Sequence, residues 1–224
     1  MSIPRFWKRQ MPIVLMVSAS LLVLVAGLLI IQQTTDNRRA KAVVAKAVLL
    51  ANQGPPSPAP ATIKPSPSVV SNYSVPPTQP RYLHIPKLAV DARVMPVSLT
   101  RAGAIGTPSN VFDTAWYTGS ALPGKQGATL IDGHVSSATT QGVFYNLKSL
   151  QPGDSLSIEL GNGTLLNYRV VKTQIYPTDA VDGTALLKPI DKTKPGLNLI
   201  TCAGAIVKGS NDFSERVVVY TTQQ

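Results

Sequence analysis

One cysteine in 224 residues excludes an intramolecular disulfide framework and any zinc site built on several thiolates. Two histidines leave little for a histidine-rich metal centre, and neither cofactor nor metal is expected. Acidic residues are scarce as well: eleven against twenty-one Lys and Arg, for a formal net charge of +10. That excess is not on the part that folds. Residues 1–81 hold nine basic residues and one acid, a net of +8, whereas residues 82–224 hold twelve and ten, a net of +2. A phosphate-tracking face needs basic residues concentrated on the folded domain, so nucleic acid is not an expected partner.

What is present falls into three segments behind a short basic tail, residues 1–12. Residues 13–31 (IVLMVSASLLVLVAGLLII) run nineteen positions without a charge. A bilayer core of about 30 Å needs roughly 20 apolar residues as helix, and a signal-peptide core is usually only about 7–15. A transmembrane anchor is the expectation, with cleavage near Ala45-Lys46-Ala47 as the alternative. Basic residues flank both ends (Arg5, Lys8 and Arg9 against Arg38, Arg39, Lys41 and Lys46), so charge counting alone leaves orientation nearly balanced. The N-terminal tail is too short to fold, which favours a single-pass protein of the cell membrane with its C-terminal domain extracytoplasmic. Residues 32–81 read as an extended stalk. Nine prolines stand among the twenty-nine residues 52–80, and proline removes backbone donors and blocks helix.

Residues 82–224 read as mainly β. Runs of β-branched and aromatic residues at 82–85, 92–97, 128–131, 155–160, 165–175, 197–201 and 216–221 alternate with Gly, Pro and Asp, the pattern of short strands and turns. Gly161-Asn162-Gly163 suits a tight hairpin. Helical turns are expected only within 142–150 and 179–187. Seven or more short strands in about 140 residues imply a barrel or sandwich.

Three residues at strand ends could do chemistry together. Cys202 closes Leu197-Asn198-Leu199-Ile200-Thr201; a lone thiol is either inert in a core or kept for reactivity. His134 follows the strand at 128–131, with Asp132 two residues before it. Arg216 opens the last strand beside Glu215. A thiol acts as thiolate, an imidazole can trade its proton, and a guanidinium can stabilise an oxyanion at any working pH. The three would suffice for acyl transfer without a metal. His84, between Leu83 and Ile85, is expected to face solvent by strand alternation and to be structural.

These pieces, in this order, resemble the sortases, the cysteine transpeptidases of Gram-positive surfaces, and most nearly their actinobacterial class E and F members. Leu83-His84-Ile85-Pro86-Lys87-Leu88 looks like the family's opening strand, and Asp132-Gly133-His134-Val135 like its Gly-His segment. Leu199-Ile200-Thr201-Cys202 resembles the Thr-Leu-x-Thr-Cys signature, with Asn198 where the first Thr usually stands. Arg216-Val217-Val218-Val219-Tyr220 resembles the closing strand. The resemblance implies a closed eight-stranded β-barrel with short helices. It implies Cys202 as nucleophile, His134 as acid/base, Arg216 as oxyanion or substrate-positioning residue, and Thr201 lining the substrate groove. It also implies an LPxTG-like sorting signal as donor, and a peptidoglycan precursor or pilin amine as acceptor, for a monomeric enzyme. Other cysteine enzymes fit less well. The Ser-x-Gly-Cys-Arg pattern of L,D-transpeptidases is missing around Cys202, and NlpC/P60 peptidases place Cys before His. A catalytically silent, membrane-tethered β domain that binds wall or protein partners is the non-enzymatic alternative. Residues 205–212 are expected to form a mobile flap.

Overall fold

The computed structural model describes residues 60–101, 105–210 and 212–224. The basic tail, the apolar span at 13–31 and the stalk up to residue 59 lie outside the described residues. Among the described residues, no helix is long and apolar enough to cross a membrane.

Eight strands close a barrel in the order β1-β2-β3-β4-β7-β8-β6-β5. They are β1 (Pro80–Ile85), β2 (Val90–Val97), β3 (Thr114–Tyr117), β4 (Ala128–Gly133), β5 (Ser155–Leu160), β6 (Leu165–Pro177), β7 (Gly196–Ile206) and β8 (Phe213–Gln223). Neighbours are antiparallel except β2 with β3 and β4 with β7. Those two parallel joins need long crossovers, and the crossovers carry the loops that surround the candidate site. Alternate residues of each strand face the barrel interior. Leu83, Ile85, Val94, Trp116, Ile131, Ile158, Tyr168, Leu197, Leu199, Val217 and Val219 fill the barrel interior.

The outward residues of β4 and β8 do not all face water. Leu130, Val218 and Tyr220 form a second apolar cluster with Leu186, against which Ile105, Tyr117, Tyr176, Val181 and Ile200 pack. Leu186 belongs to α2 (Gly183–Leu186), a single turn whose Thr184 N–H is capped by the Asp182 side chain. That short helix was expected, as was a turn at 147–149.

Three features differ from expectation. The run Ala115-Trp116-Tyr117 supplies β3, the strand missing from the sequence count. Cys202 lies inside β7, because the strand continues to Ile206 and pairs on with β8. The supposed flap is therefore the end of a β-hairpin, closed by Val207 N–H to the Asp212 carbonyl at 2.8 Å. The stalk also ends earlier than the boundary at residue 81 implies. Residues 66–82 carry α1 (Pro67–Ser71) and lie along the barrel. The Tyr73 hydroxyl donates to the Val94 carbonyl at 2.7 Å, Tyr82 to that of Val70, and Arg81 Nε to that of Tyr73 at 2.7 Å. Proline blocks long helices but does not prevent docking when neighbouring side chains provide the hydrogen bonds.

Candidate active site

Strand register brings two of the three predicted residues together. Cys202 of β7 and Arg216 of β8 are cross-strand partners, and alternation turns both outward, so their side chains are direct neighbours. Beside them on β4 is Asp132, aligned with Ile200 of β7 and Ala115 of β3. A cavity of about 160 Å³ opens over this surface. Its walls are apolar (Ile105, Leu130, Val181, Leu186, Ile200) and its polar floor is Cys202, Asp132, Asp212 and Arg216. Such a cleft accepts an extended apolar segment and presents one polar end to it.

Arg216 is far from the exposed edge residue that an isolated arginine usually is: its side chain is 12% exposed. One guanidinium nitrogen donates to Asp212 Oδ1 at 2.7 Å. The other donates to Thr178 Oγ1 and to the carbonyls of Phe213 and Glu215, at 2.9–3.1 Å. Four acceptors orient the planar cation in a way lysine could not reproduce.

Burial pushes the Cys202 thiol up to about 11, with Arg216 pulling it down and the carboxylates of Asp132 and Asp212 pushing it further up. The thiol is thus neutral at physiological pH. Asp132 is itself displaced: burial raises its carboxyl to about 6, against the opposing pull of His134, the Gly133 N–H and Arg216. Three charged groups and one thiol share the floor, and each shifts its neighbours.

His134 stands one residue beyond β4. Its Nε2 lies 2.8 Å from the Pro108 carbonyl, and the ring sits near enough to Asp132 to lower that carboxyl. Thr201 does not line the cleft. It is 2% exposed, faces the barrel interior, and donates its hydroxyl to the Gly133 carbonyl at 2.6 Å. The bond joins the residue before His134 to the residue before Cys202, so Thr201 fixes the end of β4 against the middle of β7.

His84 points away from the barrel interior, as alternation requires. It is flanked by Asp91 at 3.0 Å and Glu159 at 3.9 Å, on the outer surface of β1, β2 and β5.

Sequence reasoning assigned no role to Asp212, Thr178 or Asn198. Asp212 is four residues before Arg216, a spacing that a hairpin turns into an ion pair. Asn198 is buried in β7, and its Nδ2 donates to the carbonyls of Leu186 at 2.8 Å and Lys188 at 3.1 Å. It holds the C-terminal end of α2 over the sheet, which is the cleft wall. The substitution relative to the signature threonine thus has a local structural use.

Comparison with known proteins places this geometry. A family model described as Sortase domain matches residues 83–224. Among solved structures, a lid mutant of sortase A from Corynebacterium diphtheriae is 23% identical, with 84% of this chain and 95% of that one covered at a TM-score of 0.51. Sortase A from the same organism gives 22% identity, 82% and 84% coverage and a TM-score of 0.51. Sortase C-1 from Actinomyces oris gives 20%, 83% and 98%, and 0.50. At these identities the likeness is one of fold. A search of curated proteins finds no match.

Proposed function

The chain belongs to the sortase family of cysteine transpeptidases, and from that premise we propose that its barrel cleaves an LPxTG-like sorting signal and joins the product to an amine. Cys202 is the nucleophile, His134 the acid/base and Arg216 the oxyanion-stabilising residue. The observation that carries this reading is the cross-strand pair of Cys202 and Arg216 on the polar floor of an otherwise apolar cleft.

The neutral thiol of Cys202 is the resting nucleophile. Proton transfer from Cys202 to His134 gives a thiolate beside the Arg216 cation. The thiolate attacks the scissile carbonyl, and the carbonyl electrons move to an oxyanion facing the guanidinium. Collapse breaks the C–N bond, His134 delivers its proton to the leaving amine, and a thioester remains. An incoming amine attacks the thioester, loses a proton to His134, and releases the thiolate, which is reprotonated. Neither metal nor cofactor enters these steps.

The apolar span at 13–31 supports a tether in the cell membrane with the barrel outside, where a peptidoglycan precursor or pilin amine would be the acceptor. A barrel that binds sorting peptides without turning them over is the second reading, favoured by the elevated thiol of Cys202. Incubating the protein with a library of LPxTG-like peptides and a free amine separates the two. The expected result is an adduct on Cys202, detected by intact mass, that resolves to a new amide; Cys202→Ala forms none. A folded wild-type protein that forms no adduct with any peptide overturns the transpeptidase reading.

A further inference from the structure

The segment that precedes the barrel is bonded to the connection that contacts the histidine. The Ala61 N–H donates to the Ser109 carbonyl at 2.8 Å, and the Val111 N–H donates back to the Ala61 carbonyl at 3.0 Å. Asn110 Nδ2 adds a bond to the Ile63 carbonyl at 2.9 Å. Together they make a one-residue parallel bridge between Ala61 and Asn110, on the connection between β2 and β3. Two residues before Asn110 on that connection is Pro108, whose carbonyl meets His134 Nε2. On the opposite side, Val143 N–H donates to the Val111 carbonyl at 2.8 Å and Phe144 N–H to that of His134 at 3.0 Å. Residues 108–111 are thus held between the N-terminal segment and the segment that follows His134.

A carbonyl oxygen has no proton to give, so the nitrogen bonded to it carries the proton in both the neutral and the cationic imidazole. Nδ1 is then the nitrogen that gains and loses the working proton. Without the bond to Pro108, the ring is free to rotate and to exchange tautomers.

We propose that residues 61–63 are a positioning element of the active site: they set residues 109–111 so that the Pro108 carbonyl holds His134 through Nε2 and leaves Nδ1 to exchange the proton. The inference rests on His134 as the acid/base, but the state of its ring is measurable without any peptide substrate.

The chain has two histidines, so imidazole 15N spectra of the full chain in detergent micelles contain two ring systems, and His84→Asn assigns them. The wild-type protein is expected to show a protected Nε2–H on His134. Ala61→Pro deletes the N–H to Ser109 and is expected to speed exchange of that proton by about tenfold, the effect of losing one hydrogen bond. Asn110→Ala removes the bond to Ile63, together with the acceptor of the Phe112 N–H. Thr62→Pro is the control, expected to leave exchange unchanged. Wild-type exchange in both Ala61→Pro and Asn110→Ala overturns the proposal, as does a His134 that carries its neutral-state proton on Nδ1. Loss of the cooperative melt in both variants also overturns it, by assigning the segment to the fold. Failure of the transpeptidase reading is distinct: it is read from the absent Cys202 adduct, with the protected Nε2–H still present.

Discussion

An alkylation profile of Cys202 tests the electrostatics of the cleft directly, because no second cysteine competes. With the thiol at about 11, the thiolate fraction at pH 8 is about one in a thousand, against roughly a quarter for an ordinary cysteine at about 8.5. The ratio is roughly two hundredfold. A more basic thiolate is also a better nucleophile, which returns about tenfold over this interval. Iodoacetamide should therefore label Cys202 about twentyfold more slowly at pH 8 than an exposed model thiol, and slower still if the cleft hinders the reagent. The rate should climb about tenfold per pH unit from 7 to 10. Charge sets the sign of each variant. Asp132→Asn removes a carboxylate that opposes the thiolate, so the profile moves to lower pH. Arg216→Met removes the cation that favours the thiolate, so it moves to higher pH. The Asp132 effect belongs above about 6, where that carboxyl is ionised, and fades below. Intact-mass kinetics give the rates. A plateau beginning below pH 8, or an Asp132→Asn profile displaced to higher pH, would refute the reasoning.

Two further outcomes follow from hydrogen bonds at the site. Thr201→Val keeps the shape of the side chain but leaves the Gly133 carbonyl without its 2.6 Å donor; at about 1–3 kcal/mol for a buried orphan, melting should fall by roughly 2–10 °C. An unchanged melting temperature would show that the bond does not hold β4 to β7. Asn198→Ala removes both donors to the end of α2 and should raise the peptide KM several-fold with little change in kcat, measured with the sorting peptide identified by adduct formation; a change confined to kcat would count against Asn198 shaping the cleft wall.

The parts of this fold that were legible in the sequence are those governed by neighbours along the chain. Alternation in Leu197-Asn198-Leu199-Ile200-Thr201-Cys202 already separates the interior row (Leu197, Leu199, Thr201) from the outward row that ends in Cys202. The same alternation, followed strictly, sends Thr201 inward and contradicts its expected place in the groove. Residue chemistry singled out Cys202, His134 and Arg216; strand pairing sets Cys202 beside Arg216 on the cleft, while His134 is not among the residues that line it. What depends on pairing between distant segments was not legible. The parallel register of Asp132 with Ile200 follows from a crossover of more than sixty residues, and no local pattern specifies it. The docking of residues 61–82 was hidden by composition, because nine prolines describe the freedom of an isolated chain and not the carbonyls its tyrosines and arginine can reach. Asp212 shows the consequence for function. From sequence, Arg216 is a cation that can stabilise an oxyanion beside a thiol; in the fold, burial pushes that thiol up, and the opposing pull of Arg216 is countered by Asp132 and by Asp212, to which the guanidinium is bonded. The resting site is therefore neutral at the sulfur. On the mechanism we propose, ionisation of Cys202 is drawn out by proton transfer to His134, which makes the position of that imidazole, and whatever fixes it, the controlling variable of the chemistry.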